Sequence, residues 1–149
     1  MKHIWSVLCQ KSAIDKETNL ISLFECLEQI SAVIGVKKAK AKDKLVIPID
    51  FQIVSFWTDE DSSKDRKFQV EIRLFDSDHK VLENFPGEYI FKKGIIRFRS
   101  RIIVHGLPVT KKGRYLFKVQ YRRGSGKYKE VAELPLDINV SYKLLDSKL

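Results

Sequence analysis

The sequence predicts an all-β protein: one domain over residues 1–149, folded as an antiparallel β-sandwich of the immunoglobulin-like or C2-like kind. A chain of 149 residues has the size of one domain and is long enough to bury a core. Apolar residues recur with a period of two, as in Phe68–Leu74, which indicates half-buried strands. Turn-forming residues such as Pro86-Gly87 and Gly124-Ser-Gly126 separate these runs. Many short strands with regular turns are typical of sandwiches.

The first two of about eight predicted strands, 2–10 and 20–30, flank an acidic turn at Asp15–Asn19. If they pair as a hairpin in which paired residue numbers sum to 35, Cys9 and Cys26 lie opposite each other. A disulfide is then geometrically possible, but disulfides rarely persist in a reducing cytosol. We therefore expect two free cysteines, both buried as small apolar residues.

Residues 20–36 fit two kinds of secondary structure. The spacing of Leu20, Leu23 and Leu27 suits a helix almost as well as a strand. A strand followed by one short helix near residues 25–36 is therefore the alternative to a continuous strand. The lysine-rich segment 37–44 is predicted to be a loop.

The later strands are predicted from the same alternation and the turns between them. They cover residues 45–57, 67–76, 88–92, 95–105, 113–123 and 127–142. Pro135 has no amide hydrogen to donate, so the last strand is expected to break there or to carry it at an edge or bulge. Residues 143–149 are predicted to form a C-terminal tail.

The charge is concentrated in one part of the chain. The sequence has 28 basic and 19 acidic residues, a net charge of +9. Thirteen of the basic residues lie between Lys92 and Lys129, where there is no acidic residue. Alternation places the basic side chains of the 95–105 and 113–123 strands opposite the apolar ones. The candidate surface for a polyanion or a protein partner comprises Arg97, Arg99, Arg101, Lys118 and Arg122, with Lys37, Lys38 and Lys40 of the loop.

Nucleic-acid binding is the alternative that this charge suggests, because Lys and Arg neutralise phosphates. Proteins that bind single strands also expose aromatic rings beside their basic groups. Here the alternation places Phe98, Phe117 and Tyr121 on the opposite side, towards the core. Nucleic acid is therefore the less favoured partner.

Motifs for chemistry are missing from the sequence. His3, His79 and His105 stand far apart, and neither a phosphate-binding glycine loop nor a serine nucleophile motif occurs. Acidic residues at 59–65 and 76–78 resemble a C2-type calcium site, but they flank one strand and lie about 30 Å apart at ~3.3 Å per residue. We expect no catalytic residue, metal or cofactor.

The N-terminus lacks the pattern of a signal peptide, and no stretch approaches the 18 or so apolar residues that span a bilayer. A cytosolic location and no membrane partner are therefore expected.

An enzyme built from His105, Asp50 and Arg99 is the third functional hypothesis.

Several segments resemble an uncharacterised bacterial family of small single-domain β-sandwich proteins. The first hairpin of that family resembles Trp5-Ser-Val-Leu-Cys-Gln-Lys-Ser-Ala-Ile-Asp15 and Asn19-Leu-Ile-Ser-Leu-Phe-Glu25, and later segments resemble Leu45-Val-Ile-Pro48, Gly106-Leu-Pro108, Lys112-Gly-Arg-Tyr-Leu-Phe117 and Val131-Ala-Glu-Leu-Pro-Leu136. The resemblance implies one β-sandwich domain of unknown function and supplies no catalytic or binding residues. The basic run at 37–44 and the three arginines at 97–101 are not features of that family.

The prediction for function is a non-enzymatic cytosolic β-sandwich that acts through its surface, by binding an unidentified protein or by self-association. Binding of nucleic acid or another polyanion through a basic sheet face is the alternative.

Overall fold

The structure is a computed structural model that describes residues 1–36 and 45–145. In these ranges the chain forms nine strands and no helix. The strands are β1 (Lys2–Ile14), β2 (Ile21–Cys26), β3 (Gln29–Val36), β4 (Leu45–Thr58), β5 (Arg66–Phe75), β6 (Val81–Phe91), β7 (Arg97–Val109), β8 (Gly113–Arg123) and β9 (Lys129–Leu144). The prediction of an all-β protein is confirmed.

Two sheets pack face to face, as in a β-sandwich. Sheet A has the strand order β2-β1-β4-β7, and sheet B has the order β3-β9-β8-β5-β6. Strands within each sheet pair antiparallel, except that β3 runs parallel to β9 and forms the edge of sheet B.

The core lies between the sheets and is rich in aromatic rings. Phe51 of sheet A meets Phe117 of sheet B edge-on, with ring centroids 5.8 Å apart. Trp57 of sheet A and Phe68 of sheet B pack with tilted rings, 5.7 Å between centroids. All four side chains are almost fully buried, so the period of two in β4, β5 and β8 sorts core side chains from outward ones.

The alternative of a short helix near residues 25–36 is wrong. After a break at residues 27–28, this segment forms β3, which pairs with β9 from Gln29↔Asp137 to Val36↔Leu144. Ile30 is buried, and Ala32 and Ile34 pack against the core, so the apolar residues that face inward follow a period of two.

The predicted first hairpin is confirmed in its register. Strands β1 and β2 pair from Cys9↔Cys26 to Ile14↔Ile21, so the residue numbers sum to 35. Cys26 is exposed rather than buried, and both cysteines are free.

The later strands differ from prediction at their ends. Strand β6 starts at Val81, well before the predicted 88, and β7 ends at Val109. Strand β9 continues through Pro135, which pairs with Leu116 on β8 but lies before the start of pairing with β3. Pro135 therefore occupies an edge segment, as its missing amide hydrogen requires.

The predicted C-terminal tail, residues 143–149, overlaps the end of β9. Residues 143 and 144 belong to β9, and residues 146–149 lie outside the described residues. The lysine-rich segment 37–44 also lies outside them.

Candidate functional site

The predicted basic surface is divided between the two sheets. Arg97, Arg99 and Arg101 lie on β7 in sheet A, whereas Lys118 and Arg122 lie on β8 in sheet B. These two groups face away from each other on opposite sides of the sandwich. Lys37, Lys38 and Lys40 lie outside the described residues.

The basic groups of sheet B have partners on the same face. The Lys118 ammonium lies 3.2 Å from the carboxylate of Glu133 and 5.0 Å from the ring centroid of Phe75. The Arg122 guanidinium donates to Gln69 and lies 4.6 Å from the ring centroid of Tyr128. On this face Lys118 is therefore compensated by a carboxylate, whereas the partners of Arg122 in the described residues are neutral.

Among the described residues, the hydrogen-bond acceptors of Arg99 and Arg101 in sheet A are neutral. Arg99 Nη2 donates to the backbone oxygen of Asn19 at 2.8 Å, and Arg101 Nη1 lies 3.5 Å from Ser12 Oγ. Within residues 1–36 and 45–145, none of Arg97, Arg99 and Arg101 forms an ion pair with a carboxylate. Their positive charge is therefore uncompensated within the described structure.

These contacts show that the distal half of the β1–β2 hairpin lies over the outer face of sheet A. Ser12 Oγ also donates to Gln52 Oε1 of β4 at 2.6 Å, which holds the hairpin to the sheet. The turn is stabilised by Asp15, whose Oδ1 accepts hydrogen bonds from the amides of Thr18 and Glu17. These hydrogen bonds lower the pKa of Asp15, and the bond from Thr18 has the largest effect.

An open groove of about 770 Å³ separates the hairpin from β7. It combines aliphatic side chains of the hairpin with two of the arginines. Ile4, Ile14 and Leu20 are 48%, 52% and 67% exposed. The lining residues are Ile4, Ile14, Thr18, Asn19, Leu20, Phe56, Thr58, Arg97, Phe98 and Arg99. We call this the hairpin groove.

Aromatic rings lie on both sides of sheet A. Phe117 is buried and Phe98 and Tyr121 pack against the core, as predicted. The sequence prediction missed Phe56, which is the cross-strand neighbour of Arg99, and Trp5, whose ring centroid is 5.8 Å from that of Phe56. The signal was available for Phe56, since its neighbour Trp57 occupies the core and alternation places Phe56 outward.

The residues of the enzyme hypothesis do not form one site. Asp50 and His105 are cross-strand neighbours, and His105 Nδ1 lies 3.0 Å from Asp50 Oδ1. Both side chains are 77% exposed. Arg99 lies six positions along β7, about 20 Å away at ~3.3 Å per residue.

The acidic segment after β4 contains a buried carboxylate. Asp59 is 5% exposed and accepts a hydrogen bond from Arg66 Nε at 3.0 Å. Arg123 Nη2 and the α-amino group of Met1 lie 3.2 and 3.4 Å from its oxygens. Burial by itself would raise the pKa of Asp59, but the Arg66 hydrogen bond and the two other positive charges outweigh it and lower the pKa. This carboxylate is a structural anchor.

No helix in the described residues has the length and apolar character needed to cross a membrane.

Comparison with known proteins gives little further information. No protein-family model and no curated protein matches the chain. Among solved structures, the chain is similar to a family 123 glycoside hydrolase from Clostridium perfringens, with a TM-score of 0.36 and 11% sequence identity. The match covers 81% of this chain but only 24% of that chain. This chain therefore spans about a quarter of the structure it matches.

The prediction of a non-enzymatic protein is contradicted by this match to a hydrolase, and it is withdrawn. A likeness with a TM-score of 0.36 carries no argument for a particular activity of this chain.

Proposed function

We propose that this protein is an interaction module that binds an acidic, partly apolar segment of another protein in the hairpin groove. The observation that supports this most directly is that Arg97 and Arg99, without carboxylate partners in the described structure, line the groove beside exposed aliphatic side chains. On sheet B, by contrast, Lys118 has a carboxylate partner in Glu133, and Arg122 contacts Gln69 and the ring of Tyr128.

Each part of the groove has its own role in this proposal. Arginine binds carboxylates through two parallel hydrogen bonds, so Arg97 and Arg99 select an acidic segment. Exposed ion pairs contribute little free energy, about 0–1 kcal/mol each. Burial of Ile4, Ile14 and Leu20 therefore supplies most of the affinity, at about 25 cal/mol per Å² of apolar surface.

We also propose that the sandwich is of the immunoglobulin-like rather than the C2-like kind. The parallel pairing of β3 with β9 supports this, together with Tyr115 near the start of β8. The Tyr115 hydroxyl donates to the carbonyl of Lys111 at 2.6 Å and accepts from the amide of Thr110 at 2.9 Å. A tyrosine that binds the backbone just upstream in this way is a feature of immunoglobulin-like domains. Three statements remain predictions from the sequence: the resemblance to a bacterial family, the cytosolic location and self-association.

The groove is tested with the full chain and a short fluorescein-labelled peptide in which glutamate alternates with leucine. We expect Arg97→Gln/Arg99→Gln to weaken binding about tenfold, since two charge contacts of roughly 0.7 kcal/mol each are lost. Leu20→Ser should weaken binding by a similar factor. The matched control, Lys118→Gln/Arg122→Gln, removes the same charge from sheet B and should leave the affinity unchanged. Equal losses in both double variants, or no binding to the wild type, would overturn the proposal.

A single-stranded nucleic acid is the second candidate, because Phe56 is the cross-strand neighbour of Arg99 and the ring of Trp5 lies against that of Phe56. A labelled oligothymidylate replaces the peptide in the same set of variants. Affinity that falls steeply between about 50 and 200 mM salt and is lost in Phe56→Ala favours this candidate. Retention of the oligonucleotide by Phe56→Ala, with loss of the peptide by Leu20→Ser, favours the protein partner.

A further inference from the structure

Cys9 and Cys26 occupy a cross-strand position that suits a disulfide. They are direct neighbours on β1 and β2, and the amide of Leu27 donates to the carbonyl of Leu8 at 2.9 Å. The hydrogen-bonded rung is therefore the one next to the cysteines, which makes Cys9 and Cys26 a non-hydrogen-bonded pair. The Cα atoms of such a pair are about 4.5 Å apart, within the range of about 4.4–6.8 Å that disulfides span.

The two thiols differ in their access to solvent. Cys9 is fully buried, whereas Cys26 is exposed. Burial, and then the neighbouring Cys26, raise the pKa of the Cys9 thiol. A reagent in solution therefore reacts with Cys26 first. Burial keeps the reagent away from Cys9, so Cys9 reacts with Cys26 rather than with the reagent.

We propose that Cys9 and Cys26 are a redox-modification site, at which a small disulfide such as oxidised glutathione converts the two thiols into an intramolecular disulfide. The Cys26 thiolate attacks one sulfur of glutathione disulfide, whose S–S bond breaks and releases one glutathione thiolate. Cys9 then loses its proton and attacks Cys26 Sγ, and the second glutathione leaves as a thiolate. Two cysteines lose two electrons in total, and one glutathione disulfide is reduced to two thiols.

The position of the disulfide determines what it does to the fold. It closes the base of the β1–β2 hairpin, beyond which the chain reaches over sheet A to Ser12 and Asn19. Linking the two strands there limits the separation of β2, the short edge strand of sheet A, from β1. Oxidation therefore stabilises the hairpin without a change in the register of its strands.

The experiment equilibrates the full chain in glutathione buffers of increasing oxidation, then denatures and alkylates it for intact mass analysis. We expect a single transition from two alkylated thiols to none, with the mass of the intramolecular disulfide. The oxidised chain should melt roughly 5–10 °C higher than the reduced chain. Amide hydrogens of residues 10–25 should also exchange more slowly in the oxidised chain.

Two single variants test the order of reaction. Cys9→Ser should accumulate glutathione at Cys26, because no second thiol resolves the mixed disulfide. Cys26→Ser should leave Cys9 unreactive in the native chain but alkylated after denaturation, which also shows that the variant folds. The proposal is overturned if wild-type protein keeps glutathione at Cys26, forms only intermolecular dimers, or retains two thiols when the buffer is fully oxidised.

Discussion

Replacement of Asp59 by asparagine tests the strongest buried electrostatic feature of the fold. Asp59 and Arg66 are each 5% exposed and are joined by a hydrogen bond of 3.0 Å. The Asp59→Asn variant keeps the volume of the side chain and removes its charge. Arg66 then keeps its bonds to the carbonyls of Lys64 and Ile95, at 2.7 and 2.8 Å, but has no opposite charge within the buried site.

The expected cost follows from the cost of an unpaired buried charge. Removal of one partner of a buried ion pair destabilises a protein by about 3–5 kcal/mol. The remaining carbonyl acceptors place this case at the lower end, about 3 kcal/mol. For a domain of this size, that corresponds to a fall in the melting temperature of about 6–12 °C.

Urea denaturation at neutral pH measures this loss, and acid titration gives a second readout. Because the folded pKa of Asp59 lies below its unfolded value of 3.8, its stabilising effect is complete above pH 3.8. It is lost as the pH falls through the folded pKa. The stability difference between wild type and Asp59→Asn should therefore narrow below about pH 3.8.

The control is Asp137→Asn, which removes the exposed partner of Arg114. This variant should unfold like the wild type at neutral pH, since exposed pairs contribute little. If Asp59→Asn is no less stable than this control, or if its deficit persists unchanged in acid, the buried ion pair is not the source of stability.

Two further variants test the β7–β8 loop, which Tyr115 holds, and the backbone of β7 at Gly106. Tyr115→Phe should lower the free energy of unfolding by about 1–3 kcal/mol in urea, because the carbonyl of Lys111 and two loop amides lose their partner; wild-type stability would contradict this. Gly106→Ala should destabilise the fold by about 1–3 kcal/mol, since φ is +79° and the new Cβ would lie 2.7 Å from Val46 Cγ1. Gly124→Ala, with φ of +58° and open space around it, is the control, and equal melting temperatures for the two alanine variants would show that the contact with Val46 costs nothing.

Local alternation predicted the strands in which every second side chain is buried along the whole strand. In β5, Phe68, Val70, Ile72 and Leu74 are all buried, so the apolar period is visible without any other information. The segment 20–36 was harder to predict because its apolar residues satisfy two periods over a short stretch. Pairing with β9, more than a hundred residues away in sequence, decides in favour of a strand.

Local alternation predicted only part of the candidate site. Alternation correctly placed Arg99 and Lys118 opposite the core, but it carries no information about which sheet a strand joins. Strands β7 and β8 are consecutive and yet belong to different sheets, so the two groups separate. The hairpin groove also depends on Asn19 reaching Arg99 across 80 positions of sequence, a contact that no local pattern contains.

The parallel pairing of β3 with β9 has a consequence for the order of folding. Strand β3 is synthesised early, but its strand partner in sheet B is the last strand of the described chain. During translation β3 therefore waits until residues up to Leu144 have left the ribosome, and contacts of such long sequence separation form slowly. Its sequence, Gln29-Ile-Ser-Ala-Val-Ile-Gly-Val36, contains no charged residue or proline. A segment that waits long for its strand partner thus also has the composition of an aggregation-prone strand, and a chaperone that binds nascent chains would protect it there.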